Sequence, residues 1–259
     1  MFKGILLKVS NKYRSIKKVY ETGKKVILDE YFKDTKIKSG NEINKQPHRC
    51  DVINFLIENV KKENTIYLEI GVRDPTENFD KINSNIKYSV DPGIEFIENP
   101  VDFKLTSDDF FSKLKSGDVL KRNIKFDIIF IDGLHLADQV ERDIKNALNF
   151  ISDDGFIVLH DCNPPTEFHA RESYYFINSP ASGLWNGTTW KAFFKYRKEK
   201  DFFSCCIDTD WGIGIISKNK NIGNHSLVEN PYFEFSVFNK NRKDSLNLIS
   251  FDEFKNNFF

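Results

Sequence analysis

The chain of 259 residues balances 38 Lys+Arg against 38 Asp+Glu and is 40% hydrophobic and 29% charged. That length suits one large α/β domain with appendages, and the even balance supplies no overall field to draw in nucleic acid or an anionic surface. Cys50, Cys162, Cys205 and Cys206 show neither CxxC nor zinc-ligand spacing, so reduced structural thiols are expected.

Residues 1–47 are lysine-rich with scattered Ile, Leu, Tyr and Phe, and read as a partly helical N-terminal extension capping the main domain. A basic run of this kind is ordinarily a solvated face. Its apolar opening is short and lacks preceding charges, a poor fit to a signal peptide. No run approaches the ~20 apolar residues of a membrane span, so the cytoplasm is the expected compartment.

Asp51–Lys62 places apolar residues at 52, 53, 55, 56, 57 and 60, close to helical spacing. Ile66–Ile70 is a short apolar strand, followed by a loop and a poorly defined helix around 76–83. Tyr88–Val90 is a second strand, ended by the turn Asp91-Pro92-Gly93. Phe103–Leu105 is a weak third strand, and Asp108–Lys115 is a helix with Ser107 as its cap. Ile124–Ile131 is the fourth strand, Ala137–Phe150 the helix after it, and Gly155–Leu159 the fifth strand. Strands alternating with helices predict a mostly parallel sheet with right-handed crossovers.

Beyond Asn163, Pro164-Pro165 stops regular structure, and residues 164–188 read as an active-site lid. Thr189–Lys198 predicts a helix. Ser204–Ile207 and Gly212–Ser217 predict an antiparallel hairpin whose Asp210-Trp211-Gly212 tip is read as structural. Residues 226–259 read as a tail of one or two helices packed on the domain. The expected division is therefore an extension over 1–47, one α/β domain over 48–225 and a tail over 226–259.

The chemistry gathers at the strand ends. In open α/β sheets, ligands bind beyond the carboxyl ends of the strands. Glu69 and Gly71 close the first strand, where a glycine lets backbone approach a nucleotide-like cofactor and a carboxylate can accept from an ammonium or hydroxyl group. Asp91 ends the second strand roughly 20 residues later, the place of an acid that bonds ribose hydroxyls. Asp132 with His135, and His160 with Asp161, end the fourth and fifth strands and put two carboxylates and two imidazoles at one crevice. Histidine titrates near neutrality, so His135 or His160 is suited to act as a base. In the lid, His169, Arg171, Glu172, Tyr174 and Tyr175 are candidates to face a polar acceptor, and residues 186–191 to close the pocket.

With this order of elements, residues 66–161 resemble the class I S-adenosylmethionine-dependent methyltransferases, in their catechol-type and sugar O-methyltransferase branch. The resemblance implies a Rossmann-like, mostly parallel seven-stranded sheet flanked by helices. It implies that Glu69 and Gly71 hold the methionine part of S-adenosylmethionine, Asp91 its ribose, and that Asp108 faces the adenine. Asp132 would then meet both the methionine end and the acceptor. It also implies a site for Mg²⁺ or another divalent cation at Asp132, Asp161 and Asn163. The loop after the first strand departs from the family: Gly-Val-Arg-Asp-Pro-Thr lacks the later glycines.

The expected function is methyl transfer to a hydroxyl of a small polar acceptor, a sugar, glycan precursor or secondary metabolite. Neither nucleic acid nor a membrane span is expected, and a homo-oligomer is allowed. Two other readings stay open. One is a nicotinamide oxidoreductase on a similar sheet, for which the loop is a poor diphosphate cradle. The other is an inactive methyltransferase-like binding module.

Overall fold

The computed structural model describes residues 2–60, 62–96, 98–176 and 178–257, without the side chains of 2–11 and 257. Met1 of the expected extension and residues 258–259 of the expected tail lie outside the described residues. The extension is two helices, α1 (Phe2–Leu28) and α2 (Glu30–Ile43), parted at Asp29, whose side chain accepts from the Tyr31 and Phe32 amides and caps α2. Helix α3 (Arg49–Asn59) starts two residues before the apolar spacing does.

The described residues form a seven-stranded sheet of β1 (Ile66–Ile70), β2 (Ile86–Val90), β3 (Phe126–Ile131), β4 (Ile151–Leu159), β5 (Phe203–Ile207), β6 (Ile213–Ser217) and β7 (Leu248–Ile249). Their order is β2-β1-β3-β4-β6-β5-β7. Strands β2, β1, β3 and β4 run parallel, and β6 pairs antiparallel with both β4 and β5, as the hairpin pattern predicts.

The expected third strand does not form as such. Phe103 makes a single bridge to Val90, and beside it the exposed Asp102 reaches back to β2, where its Oδ2 accepts from the Ser89 amide and hydroxyl. The seventh strand comes instead from the tail, where β7 pairs parallel with β5. The tail also differs from one or two helices. It carries α7 (Phe235–Lys240), α8 (Arg242–Leu246) and α9 (Phe251–Asn257), broken by left-handed Asn247 before β7. Around 76–83 the helix is two 3₁₀ turns, Pro75–Glu77 and Phe79–Lys81.

Helix α4 (Ser107–Ser116) is capped by Thr106 rather than Ser107: the Thr106 hydroxyl accepts from the Asp109 amide at 3.2 Å. Ser107 is the first helical residue, and its hydroxyl accepts from the Gln139 amide. Helices α5 (Ala137–Phe150) and α6 (Thr189–Tyr196) follow the expected spans closely.

Alternation along the strands builds two cores, one on each face of the sheet. Ile129, Ile131, Ile157 and Leu159 pack with α4, α5 and α6, while Ile128, Phe130, Phe156 and Val158 pack with α3 and α9. With β3 buried throughout and β4 buried from Gly155 to Leu159, a polar group at their carboxyl ends has only the sheet's rim to occupy.

Candidate active site

The strand order reverses direction between β1 and β3, which makes their carboxyl ends the topological switch point where ligands bind. Gly71 sits there with φ +90°, and a Cβ on it would lie 2.4 Å from the Asp132 carbonyl oxygen. Only glycine lets the two strand ends approach so closely. The result sets the mouth of the crevice directly beside Asp132.

Asp132, His135, His160 and Asp161 converge as their sequence positions predict. His135 Nε2 lies 3.3 Å from Asp132 Oδ1, and its Nδ1 lies 3.1 Å from Asp161 Oδ2. His160 Nδ1 stands 3.2 Å from both of these carboxylate oxygens. Asp161 has φ +61°, a backbone state rarely held by a side-chain-bearing residue and characteristic of functional sites. Its second oxygen accepts from the fully buried Asn186 amide at 2.7 Å.

Two further residues complete the cluster. His160 Nε2 lies 3.2 Å from Asp210 Oδ1, and Arg49 Nη1 lies 3.2 Å from the same nitrogen and 3.5 Å from the same oxygen. The Arg49 amide also donates to Asp210 Oδ2 at 2.8 Å, and its guanidinium is 3.8 Å from Asp132. Asp210, at the hairpin tip, thus adjoins the cluster: β6 runs antiparallel to β4, so the turn before it lies at the carboxyl end of β4. The left-handed backbone of Asp210 and Trp211 was not readable from composition. Nothing in the pattern of α3 marks Arg49, which occupies the first position of that helix.

The electrostatics follow from this packing. Burial alone would raise the Asp132 carboxyl, but the His160 charge, hydrogen bonds from both histidines and Arg49 hold it well below the usual range. Burial would lower His135, yet Asp161 and Asp132 lift it to about 9. Against the same burial penalty, His160 rises well above its ordinary value beside Asp132 and Asp161. Asp210 is held down to about 2, against burial, by His160 and Arg49. The raised imidazoles and lowered carboxyls thus set opposite charges against one another in a site largely out of water.

Residues 61–162, which run from just before β1 to just past Asp161, match a family model described as a methyltransferase domain. This segment is thus similar to methyltransferase domains. Similar folds of low identity include an O-methyltransferase from Bacillus cereus in complex with S-adenosylhomocysteine, 14% identical over 77% of this chain and 97% of that one, TM-score 0.42. A Corynebacterium glutamicum protein is 11% identical over 77% of this chain and 97% of that one, TM-score 0.42. The MycE methyltransferase of the mycinamycin biosynthetic pathway, in complex with Mg and S-adenosylhomocysteine, is 12% identical over 80% of this chain and 60% of that one, TM-score 0.41. No curated protein matches the chain.

Within this segment, the expected donor residues occupy different surroundings. Glu69 is buried, and its Oε2 receives the Tyr67 hydroxyl at 2.5 Å and the Asn78 amide at 2.9 Å. Burial pushes its carboxyl up to about 7, helped by Asp132 and opposed by Tyr67, Asn78 and Arg49. Asp91 ends β2, and its Oδ1 accepts from the Gly93 amide at 2.7 Å and the Asn99 side chain at 2.6 Å. Asp108 lies exposed on the first turn of α4 and pairs with Arg142 at 3.3 Å.

Asn163 is not brought to the carboxylates. Its amide nitrogen donates to Asp208 at 3.0 Å and its oxygen accepts from Arg242 at 2.5 Å. Among the described residues, the group able to hold a cation is Asp132, His135 and Asp161, whose donor atoms lie within 4.8 Å of one another.

The lid is tied to the cluster through His135. The Thr188 amide donates to the His135 carbonyl at 2.7 Å, the Thr188 hydroxyl accepts from the Ala137 amide, and Trp185 stacks on the His135 ring at 5.2 Å. Arg171 donates to lid carbonyls at Phe168, Leu184 and Ser182, and thereby braces the loop rather than reaching into the crevice. Tyr174 packs against Trp185, Tyr175 points to solvent, and Glu172 pairs with Lys191.

His169 is fully buried between the Ser39 and Thr166 hydroxyls, at 3.0 and 2.9 Å. Burial, with Arg171 nearby, lowers it to about 4. A folded-state value below the unfolded value of ~6.5 means that its contribution is complete above that value. Stability is then lost as pH falls from the unfolded value towards 4. We expect thermal denaturation of His169→Gln to fall less steeply over that window than the wild type, by about 2–3 kcal/mol at its acid end. Parallel melting curves against pH would remove His169 from the acid response.

Proposed function

We propose that the chain transfers the methyl group of S-adenosylmethionine to a hydroxyl oxygen of a small polar acceptor, with a sugar or glycan precursor as the favoured class. The observation that carries this reading is the cluster of Asp132, His135, His160 and Asp161 beside Gly71, proton-accepting and charge-bearing groups at the mouth where the donor's sulfonium would lie. A hydroxyl is a poor nucleophile until its proton leaves, whereas the methyl group is already activated in the donor. In-line placement of the two reactants then supplies most of the rate.

In this reading, Gly71 and the end of β1 admit the methionine portion, Asp91 accepts from the ribose hydroxyls, and Asp108 borders the adenine. Asp132 and Asp161 orient the acceptor. His135, the less buried of the two imidazoles and the one under the lid, is lifted to about 9 and takes the acceptor's proton only in its neutral form, so turnover rises as pH approaches 9, while His160, locked between Asp210 and Asp132, holds positive charge in place. Two carboxylates and an imidazole within 4.8 Å would also suit a divalent cation in place of the His135 proton; Asp132, His135 and Asp161 would hold it, and His135 would then be a ligand and not the base. Such an ion supplies a lowered pKa of the acceptor hydroxyl when bound.

Calorimetry tests the donor assignment. S-adenosylhomocysteine is expected to bind and NAD to give no heat, and Asp91→Ala should weaken the adenosyl ligand about 10–100-fold by leaving the ribose hydroxyls unpaired. Failure of either adenosyl ligand to bind, or an unchanged affinity in the variant, overturns the assignment.

A further inference from the structure

Helix α1 has no use in the site described above. Between Lys12 and Leu28 every described side chain is exposed, apart from the intermediate Gly23. Tyr13, Ile16, Val19, Tyr20 and Ile27 fall on one helical face, shared with Lys12, and are 58–70% exposed, so among the described residues this largely apolar stripe is left mostly uncovered. Exposed apolar patches of this kind mark a surface that is covered in use. On the other side stand Arg14, Lys17, Lys18 and Lys25. The whole helix holds eight basic residues and one acidic residue, Glu21, a net charge of +7 that the neutral total conceals.

We propose that α1 lies on an anionic lipid surface, its apolar face at the headgroup boundary and its lysines against the lipid charges. Charge decides the occupant. Two copies of a +7 helix repel along their length. A large apolar arc beside a cationic arc, with tyrosines at its edges, matches helices that lie in the membrane interface. Among the described residues no helix is long and apolar enough to cross a membrane, so the contact is peripheral.

The test is co-sedimentation of the full chain with vesicles of phosphatidylcholine alone and of phosphatidylcholine mixed with phosphatidylglycerol. Binding is expected to rise at least about tenfold with the anionic lipid and to fall as salt is added. Ile16→Glu with Tyr20→Glu, and separately Lys17→Glu with Lys18→Glu, should each abolish it while S-adenosylhomocysteine binding stays unchanged, which shows the domain still folded. Equal binding to neutral and anionic vesicles, or none to either, overturns the proposal. So does lipid-free dimerisation lost in the Ile16/Tyr20 variant, which assigns the face to a second copy, or binding to RNA without binding to anionic vesicles.

Discussion

Gly71→Ala is expected to destabilise the fold by about 2–5 kcal/mol and to abolish detectable S-adenosylhomocysteine binding. The new methyl group would have to sit 2.4 Å from the Asp132 carbonyl oxygen and 2.5 Å from Gly133 Cα, at a φ of +90°. Both obstacles are backbone, so no side-chain rotation relieves them. The ends of β1 and β3 must separate, and this widens the place where the donor enters. Gly133→Ala is the control, because its Cβ would meet only the Ile70 side chain, at 3.9 Å. Urea midpoints and ligand heats for the two variants would settle the matter; equal losses in both would mean that the close approach at Gly71 is not what shapes the site.

Asp132→Asn should lower turnover by roughly 10²–10⁴. The substitution keeps shape and removes one of three carboxylates facing Arg49, His135 and His160. Both imidazoles then lose a partner that raises them, so their protonation shifts together, and Arg49 is left with less compensation in a site largely closed to water. Folding stability should fall by about 2–4 kcal/mol, since a partly buried ion network loses one member. Asp108→Asn, whose carboxylate pairs with Arg142 in solvent, should leave folding within ~0.5 kcal/mol of the wild type. Turnover close to wild type in Asp132→Asn would remove this carboxylate from the reaction.

The segment from Phe126 to Asp161 was legible in the sequence because each of its parts obeys a short-range rule. Buried parallel strands read as continuous apolar runs, and the helix between them keeps its apolar residues at helical spacing. Those rules located β3, α5 and β4 and so carried Asp132, His135, His160 and Asp161 to one rim. They failed where an element is only two or three residues long. Phe103 became a bridge and Leu248–Ile249 a strand through partners distant in the chain: Val90 on β2, and β5 with its open edge.

By itself, then, the sequence determined the fold class, the strand ends that carry the chemistry and the methyltransferase reading of residues 66–161. Tertiary structure alone decided who neutralises whom. Arg49 and Asp210, 161 positions apart, meet because α3 covers one face of the sheet and the β5–β6 hairpin returns antiparallel beside β4. Asn163 adjoins Asp161 nearly in sequence yet turns to Asp208 and Arg242. Periodicity records which face a residue takes, whereas ion pairing depends on distances of a few ångströms, which only the packed chain sets.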